Sequence, residues 1–333
     1  MFPHTYLKGT GTGLLWQLRE VVSEMVAVGA PSVASSSYTA QPKFAVQLEE
    51  ARQQRDRLVD HGPADALLAN AGLAAEGTVH IGTERYHRLR SALCVALGLD
   101  EGVQPLERLH GALGAGFSPR AAQHAQAMRQ KALLLSPLAN LSAPPSAALL
   151  DLYDALVCEV VAPHVRLALP TEHRLLYAAY PTIRVQQPSE LATIRPHVDG
   201  MYALQPGSLN FWLPLTSPAH ERRALMVESE PGREDFHPLM PAPAELVRFN
   251  GRRCVHFTTP NLTTRTRVSI DFRIVPGSLY DSTNRLSRHG YFSSACLREG
   301  ARWEKEHMGR VSTLHGMPHT RLPTLTTSGS QQE

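Results

Sequence analysis

Residues 192–217 read ATIRPHVDGMYALQPGSLNFWLPLTS and contain two side chains that can bind a metal. His197 and Asp199 lie two residues apart in this stretch, and an apolar run containing Asn210 and Trp212 follows. Because successive side chains of an extended chain point to opposite sides, His197 and Asp199 project to the same side. A histidine and a carboxylate fixed on one strand form half of a metal site. A buried, hydrogen-bonded His–Asp pair with a purely structural role is the alternative.

The chain around this stretch divides into a helical and a β-rich part. Segments rich in Ala, Leu, Gln and Arg predict helices at 43–60, 84–99 and 121–135. Residues 146–169 have apolar side chains at three- and four-residue spacing, which predicts a helix that packs on the part that follows. From about residue 174, short β-prone runs alternate with Pro and Gly, which predicts an all-β sandwich or barrel.

Composition and charge exclude several classes of function. The 333 residues are 43% hydrophobic and 19% charged with a net charge of +3, which is ordinary for a globular protein. The sequence contains no dense basic tract, so no nucleic-acid partner is expected. No apolar run approaches the roughly 18 residues of a membrane-spanning helix. The four cysteines are far apart without a CxxC pair, which argues against a disulfide framework and favours a reducing, cytoplasmic compartment.

A third metal-competent side chain occurs downstream, in NGRRCVHFTTPNLTTRTRVSIDFRIVP. His256 lies in a β-prone run of it, and Arg267 and Ser269 follow on one face of a strong strand pattern. Two neutral imidazoles and one carboxylate are the facial ligand set of non-haem Fe(II). A planar guanidinium suits bidentate binding of a carboxylate. Arg267, eleven residues past His256 and on one strand face with Ser269, is preferred for this role over its rivals Arg265 and Arg273. A core histidine with satisfied hydrogen bonds is the alternative for His256.

In this order, HVD, the distal H and RVS resemble the Fe(II)/2-oxoglutarate-dependent dioxygenases. Within that superfamily the chain is most similar to the phytanoyl-CoA hydroxylase-like branch and its StrG-like enzymes, through HVDGMY, LNFWLPLT and ALMVESEPG. The resemblance covers roughly residues 174–280. It implies a double-stranded β-helix (a jelly-roll, cupin-like barrel) at 171–282. The segments on either side complete the prediction of an α+β protein, with a mainly helical region at 1–170 and a polar, irregular extension with a disordered tail at 283–333.

The resemblance also implies a role for each candidate residue. The expected iron ligands are His197, Asp199 and His256. The groups expected to hold 2-oxoglutarate are Arg267, Ser269 and Asn210. The side chains expected to face the substrate are Tyr202, Arg184, Trp212 and Tyr180. Trp212 shares strand parity with Asn210, and Tyr180 shares it with Arg184. Three of these have structural alternatives: a strand-edge cap for Asn210, core packing for Trp212, and packing at the barrel mouth for Tyr202.

The activity that the resemblance implies uses Fe(II), 2-oxoglutarate and O2. A small polar metabolite would be hydroxylated or otherwise oxidised, with release of succinate and CO2. One alternative is a hydroxylase that acts on a protein side chain, and another is an inactive barrel that serves as a binding module. The sequence predicts neither the identity of the substrate nor the oligomeric state.

Overall fold

The computed structural model of the protein describes residues 38–58, 62–100, 105–116, 124–139, 144, 146–216 and 224–306. Its helices are α1 (Pro42–Arg57), α2 (Gly62–Asn70), α3 (Thr83–Ala96), α4 (His124–Leu135), α5 (Ala147–Leu156), α6 (Ala162–Ala168) and α7 (Arg285–Arg288). Its strands are β1 (Gly77–His80), β2 (Arg174–Ala178), β3 (Thr182–Gln186), β4 (Leu209–Pro214), β5 (Leu225–Val227), β6 (His237–Pro238), β7 (Glu245–Phe249), β8 (His256–Thr258), β9 (Arg267–Pro276), β10 (Phe292–Leu297) and β11 (Trp303–Glu306).

The strands form a large and a small antiparallel sheet. The large sheet has the order β1-β7-β4-β9-β2-β10-β11, and β3 also pairs with β9. The small sheet has the order β6-β5-β8. Because β9 pairs with β2, β3 and β4, it is the central strand of the large sheet. The coarse expectation of helices combined with a β-rich part is therefore confirmed.

Strand β9 carries two different sets of side chains on its two faces. Its apolar residues Val268, Ile270, Phe272 and Ile274 belong to the main core together with residues of α3 and α5. The rings of Phe272 and Tyr153 on α5 lie 5.2 Å apart, edge to face. This packing agrees with the expectation that the segment 146–169 packs on the β-rich part.

The opposite face of β9 carries the polar side chains Arg267, Ser269, Asp271 and Arg273. The neighbouring strand β4 repeats this division, with alternating apolar residues in the main core and Asn210 and Trp212 on the other side. Trp212 packs with Leu225 and Val227 of β5 in a second apolar cluster. The polar face of the large sheet therefore points toward the small sheet, and side chains from both sheets line the cavity between them.

Several details of the architecture differ from the sequence-based expectation. The region 1–170, expected to be helical, contributes strand β1, which pairs with β7. The extension after residue 282, expected to be irregular, contributes β10 and β11, and β10 pairs with β2. These strands were missed because β1 and β11 have only four residues each, and the sequence of β10, FSSACL, lacks strict apolar alternation. The expected disordered tail lies outside the described residues.

Two findings concern the cell-biological expectations. None of the helices in the described part of the chain is long and apolar enough to cross a membrane. All four cysteines are present as free thiols.

Candidate metal centre

The segment 195–200 holds two of the expected ligands without forming a regular strand. Asp199 begins a short 3-10 turn, Asp199–Tyr202, so the expected strand at HVD is wrong in detail. Val198 is nevertheless extended, with φ −115° and ψ 140°, and is buried in an apolar cluster. Because Val198 is extended, the side chains of His197 and Asp199 lie on one side of the backbone, as the strand pattern predicted.

Backbone hydrogen bonds bring His256 beside this segment. The His197 amide donates to the His256 carbonyl at 3.2 Å, and the His256 amide donates to the His197 carbonyl at 3.0 Å. The Asp199 amide donates to the carbonyl of Gly251 at 2.8 Å, which fixes the turn against the loop before β8. The three ligand atoms of His197, Asp199 and His256 all lie within 4.8 Å of one another, and all three residues are buried. The expected ligand set is thus brought together.

Hydrogen bonds orient both imidazoles. The Nδ1 atom of His197 lies 2.8 Å from the Arg195 carbonyl oxygen, and the Nδ1 atom of His256 lies 3.0 Å from the Cys254 carbonyl oxygen. A carbonyl only accepts, so each Nδ1 carries the proton and each Nε2 offers a lone pair. Both Nε2 atoms lie near Oδ1 of Asp199, at 3.5 Å for His197 and 3.7 Å for His256. This is the tautomer that a metal ligand requires.

The protonation states also suit a metal. Burial, followed by the neighbouring His197 imidazole, lowers the pKa of His256 to about 3, so its ring is neutral at neutral pH. Burial alone would raise the pKa of Asp199, but the Arg273 guanidinium holds it well below its usual value. The site therefore presents neutral imidazole and an ionised carboxylate, as a divalent cation requires.

The second oxygen of Asp199 has its own partners. Oδ2 accepts hydrogen bonds from Nδ2 of Asn210 at 2.5 Å and from Nε and Nη2 of Arg273 at 3.0 and 2.7 Å. Asn210 approaches because position 251 is a glycine: a Cβ atom there would lie 2.5 Å from Nδ2 of Asn210. Asn210 lies in β4, between β7 and β9, so its alternative as a strand-edge cap does not apply.

Arg267, rather than its rival Arg265, lies at the cavity. Arg267 begins β9, is 1% exposed and lines the cavity together with His197 and His256. Its guanidinium carbon lies 5.9 Å from the centroid of the Trp212 ring, which also lines the cavity. Arg265 precedes the strand and is only partly buried. Ser269, one β-period beyond Arg267, is completely buried, and its Oγ has no hydrogen-bond partner within the described residues.

The expected substrate-facing residues divide into two groups. Arg184 and Trp212 line the cavity. Tyr202 packs against His197, with ring centroids 5.7 Å apart, but does not belong to the lining. Tyr180 was expected on one strand with Arg184; this is wrong, because Pro181 interrupts the run and Tyr180 lies in the bend between β2 and β3.

Some residues of the site were missed in the sequence. Asp271 and three apolar residues, Ile194, Leu225 and Phe249, also line the cavity. Asp271 joins two arginines: its Oδ2 accepts from Nε of Arg184 at 3.0 Å, and its Oδ1 accepts from Nη1 of Arg273 at 3.1 Å. The available signal was strand parity, because Asp271 and Arg273 share the face of β9 that carries Arg267 and Ser269.

Two histidines and one carboxylate lie around one point, with a buried arginine at the adjoining cavity, and this ligand set suits a non-haem Fe(II) ion. The StrG-like resemblance of the sequence is confirmed by comparison. The chain is 32% identical over 107 residues to the streptomycin biosynthesis protein StrG of Streptomyces griseus, a match that covers 32% of this chain and 50% of StrG. The chain thus spans about half the length of this curated relative. No protein-family model matches the chain.

Solved structures with detectable similarity include a hydroxylase and an epimerase. A prolyl-4-hydroxylase of Pseudomonas putida is 12% identical, with a TM-score of 0.35 over 65% of this chain and 93% of the other. The non-haem α-ketoglutarate-dependent epimerase SnoN from nogalamycin biosynthesis is 13% identical, with a TM-score of 0.34 over 70% of this chain and 84% of the other.

Proposed function

We propose that this protein is a non-haem Fe(II)/2-oxoglutarate-dependent dioxygenase that oxidises a small polar metabolite and releases succinate and CO2. The observation that carries the proposal is that the ligand atoms of His197, Asp199 and His256 converge on one point, beside a cavity that both histidines and Arg267 line. The three ligands alone would suit several metal-dependent reactions. A buried arginine beside them provides the charge that a carboxylate co-substrate requires.

The ligand set fits Fe(II). Nε2 of His197, Nε2 of His256 and Oδ1 of Asp199 would hold the ion, because these are the three atoms whose neighbours leave a lone pair directed at the common point. Three protein ligands leave positions for a co-substrate and for O2. Bound there, Fe(II) supplies the activation of O2, for which no amino-acid side chain is suited.

The neighbouring wall of the cavity fits 2-oxoglutarate. Arg267 would bind the far carboxylate through its guanidinium, and Ser269 would donate its hydroxyl, since the Ser269 Oγ is buried without a partner in the described part of the chain. A buried hydroxyl that makes no hydrogen bond is costly, and a carboxylate oxygen would satisfy it. Asn210 would act through Asp199, to which its amide donates, while its Oδ1 lacks a described partner.

The remaining walls support a small polar substrate. Arg184 and Asp271 provide charged groups, whereas Ile194, Leu225 and Phe249 are apolar and restrict the access of water. Arg184 and Trp212 would contact the substrate directly, and Tyr202 would act by packing on His197. Tyr180 lies in the bend before β3 and does not line the cavity, so no substrate contact is assigned to it.

The architecture supports the double-stranded β-helix as the fold. Two antiparallel sheets contribute to one cavity, and the ligands lie where the small sheet meets the polar face of the large sheet. In this assignment the catalytic core is 171–282, and helices α3 and α5 pack on the outer face of the large sheet. Strands β1, β10 and β11 extend the large sheet from outside the core.

Succinate formation from 2-oxoglutarate tests the proposal. Purified protein is supplied with Fe(II), 2-oxoglutarate and fractions of polar metabolites, and succinate is quantified. We expect His197→Ala, Asp199→Ala and His256→Ala each to abolish iron-dependent succinate formation, because two ligands cannot hold the facial geometry. His237→Ala is the matched control, since His237 is a partly exposed histidine that pairs with Glu76; it should retain wild-type turnover.

The same assay separates the alternatives. Stimulation of succinate formation by peptides rather than metabolites would favour a protein hydroxylase. A wild-type protein that forms no succinate under any condition would leave only a binding module. A triad variant with wild-type turnover would remove that residue from the ligand set.

A further inference from the structure

We infer that Arg273 is a positioning residue for the metal: it holds Oδ2 of Asp199 away from the ion, so that the carboxylate binds through Oδ1 alone. This inference rests on the proposed metal site and adds a role that the ligand set does not contain. It starts from the fact that the two oxygens of Asp199 have different surroundings. Oδ1 faces both histidines, whereas Oδ2 faces Asn210 and Arg273.

The contact between Arg273 and Asp199 is directional and buried. Two nitrogens of one guanidinium, Nε and Nη2, converge on Oδ2 at 3.0 and 2.7 Å. With the amide of Asn210, this oxygen accepts three hydrogen bonds, which is more than its two in-plane lone pairs normally use. Both Arg273 and Asp199 are almost inaccessible, at 1% and 2% exposure. An oxygen surrounded in this way has no room for a cation.

A second carboxylate holds Arg273 in place. Asp271 accepts from Nη1 of Arg273 at 3.1 Å, so three nitrogens of the guanidinium are fixed by two carboxylates. The other oxygen of Asp271 accepts from Nε of Arg184, which lines the cavity. The result is an alternating chain of charges, Arg184–Asp271–Arg273–Asp199, that runs from the cavity wall to the metal ligand. Its formal charges sum to zero, as burial of ionic groups requires.

The arrangement also explains why Arg273 does not compete with Arg267 for a co-substrate. Three of the five N–H donors of Arg273 are directed at Asp199 and Asp271, and Arg273, unlike Arg267, does not line the cavity. Arg273 was a rival of Arg267 in the sequence, because the two occupy the same face of β9. The contacts assign Arg273 to Asp199.

The test measures metal affinity rather than turnover. Metal-free protein is titrated with Co(II) in the absence of 2-oxoglutarate, and binding is followed by the visible absorption of the bound ion. We expect Arg273→Lys to weaken Co(II) binding by about 10- to 100-fold, as is typical when a residue that orients a metal ligand is lost. A lysine keeps the charge but has one ammonium group, which cannot hold both carboxylates in a fork. The absorption of bound Co(II) should also change, because Oδ2 becomes available.

Two further variants keep the test independent of folding. Asp271→Asn keeps the contact of Arg273 with Asp199 and weakens the contact between Arg273 and residue 271. It should therefore weaken Co(II) binding less than Arg273→Lys. Arg248→Lys is the matched control. Arg248 is 6% exposed and donates to the carbonyls of Gly72 and Ala75 and to His164, away from the cavity. It should lower the melting temperature without changing Co(II) affinity or absorption.

The outcomes separate this inference from the proposed function. If the wild-type protein binds no Co(II), the metal site itself is wrong. If the wild-type protein binds Co(II) and Arg273→Lys binds it with unchanged affinity and an unchanged spectrum, Arg273 does not position Asp199. A loss in Arg273→Lys no larger than that in Arg248→Lys would likewise overturn the inference, because it would reflect general destabilisation.

Discussion

At the scale of single residues, the arginines of the cavity have different partners although they share one sheet face. Arg273 is bound to two carboxylates, and Arg184 is bound to one of them. Arg267 instead lies beside the Trp212 ring and the buried hydroxyl of Ser269, on the wall that we assign to 2-oxoglutarate. A difference in partners predicts a difference in function, which substitution of single arginines can resolve.

Arg267→Ala should raise the apparent KM for 2-oxoglutarate by about 30-fold or more. Truncating one partner of a buried, charge-assisted pair costs roughly 2–5 kcal/mol, and about 1.4 kcal/mol corresponds to a tenfold change. Steady-state kinetics with varied 2-oxoglutarate measures this effect. Arg265→Ala is the control, because Arg265 precedes β9 and does not line the cavity. A large effect of Arg265→Ala with a mild one of Arg267→Ala would mean that the carboxylate binds elsewhere.

Lys131 on α4 gives a prediction about pH. Burial, and after it the nearby Arg184, lower the pKa of Lys131 to about 8 from its ordinary 10.5. The ammonium group of Lys131 holds its proton more tightly in the unfolded chain than in the folded one. Charged Lys131 therefore destabilises the fold below about pH 8, and this destabilisation disappears as pH rises toward 10.5. Lys131→Met should therefore raise the melting temperature at pH 7, and its advantage over the wild type should shrink between pH 8 and 10.5. A pH-independent difference between the two proteins would contradict this assignment.

At the scale of elements, one face of β9 packs in the main core and the other face borders the cavity. Phe272 is fully buried and stacks on Phe211 with ring centroids 5.5 Å apart. Phe272→Ala should cost about 3–5 kcal/mol of unfolding free energy, since a large cavity remains in the core. Ser269→Ala, on the opposite face, removes a hydroxyl without a described partner and should leave stability nearly unchanged while weakening 2-oxoglutarate binding. Denaturant unfolding and 2-oxoglutarate titration of both variants would show whether the two effects separate in this way.

The same strand shows what could be predicted from the sequence. Alternation in RVSIDFRI indicates which side chains share a face, and the order of HVD, a distal histidine and RVS indicates the ligand set. The pairing of Arg273 with Asp199 could not be predicted, because it depends on the register that places Arg273 opposite Asn210 across β4 and β9. Register between strands far apart in sequence is set by the packing of the whole sheet.

Short elements account for most of the remaining differences. Strands β1 and β11 have four residues each, too few for a periodic pattern to distinguish a strand from a loop. They form because an existing sheet edge supplies their hydrogen-bond partners: β7 for β1 and β10 for β11. The turn at Asp199–Tyr202 is similar, since the loop at 251–252 provides the carbonyls that accept its amides.

At the scale of the whole molecule, the helical and β-rich parts share one core. Residues of α3, α5 and α6 pack with the apolar faces of β2, β4 and β9 in a single cluster. Helix α1 packs on the backbone that carries the proposed ligands. Its Ala51 contacts Val198, which lies between His197 and Asp199, and Val255, which precedes His256. The proposed ligands are therefore held by elements from both parts, which is the rigidity that a preorganised metal site requires.

Binding of 2-oxoglutarate to the metal-loaded protein under anaerobic conditions tests whether the iron site and Arg267 act together. Calorimetric titration of 2-oxoglutarate into the wild-type protein with bound Fe(II) should give one co-substrate per iron. Asp199→Ala, without its bound iron, should lose most of this affinity, because the co-substrate would bind to the metal and to Arg267 together. Binding of 2-oxoglutarate that is equally tight with and without Fe(II), or no binding to the iron-loaded wild type, would contradict a co-substrate site formed by the iron and Arg267.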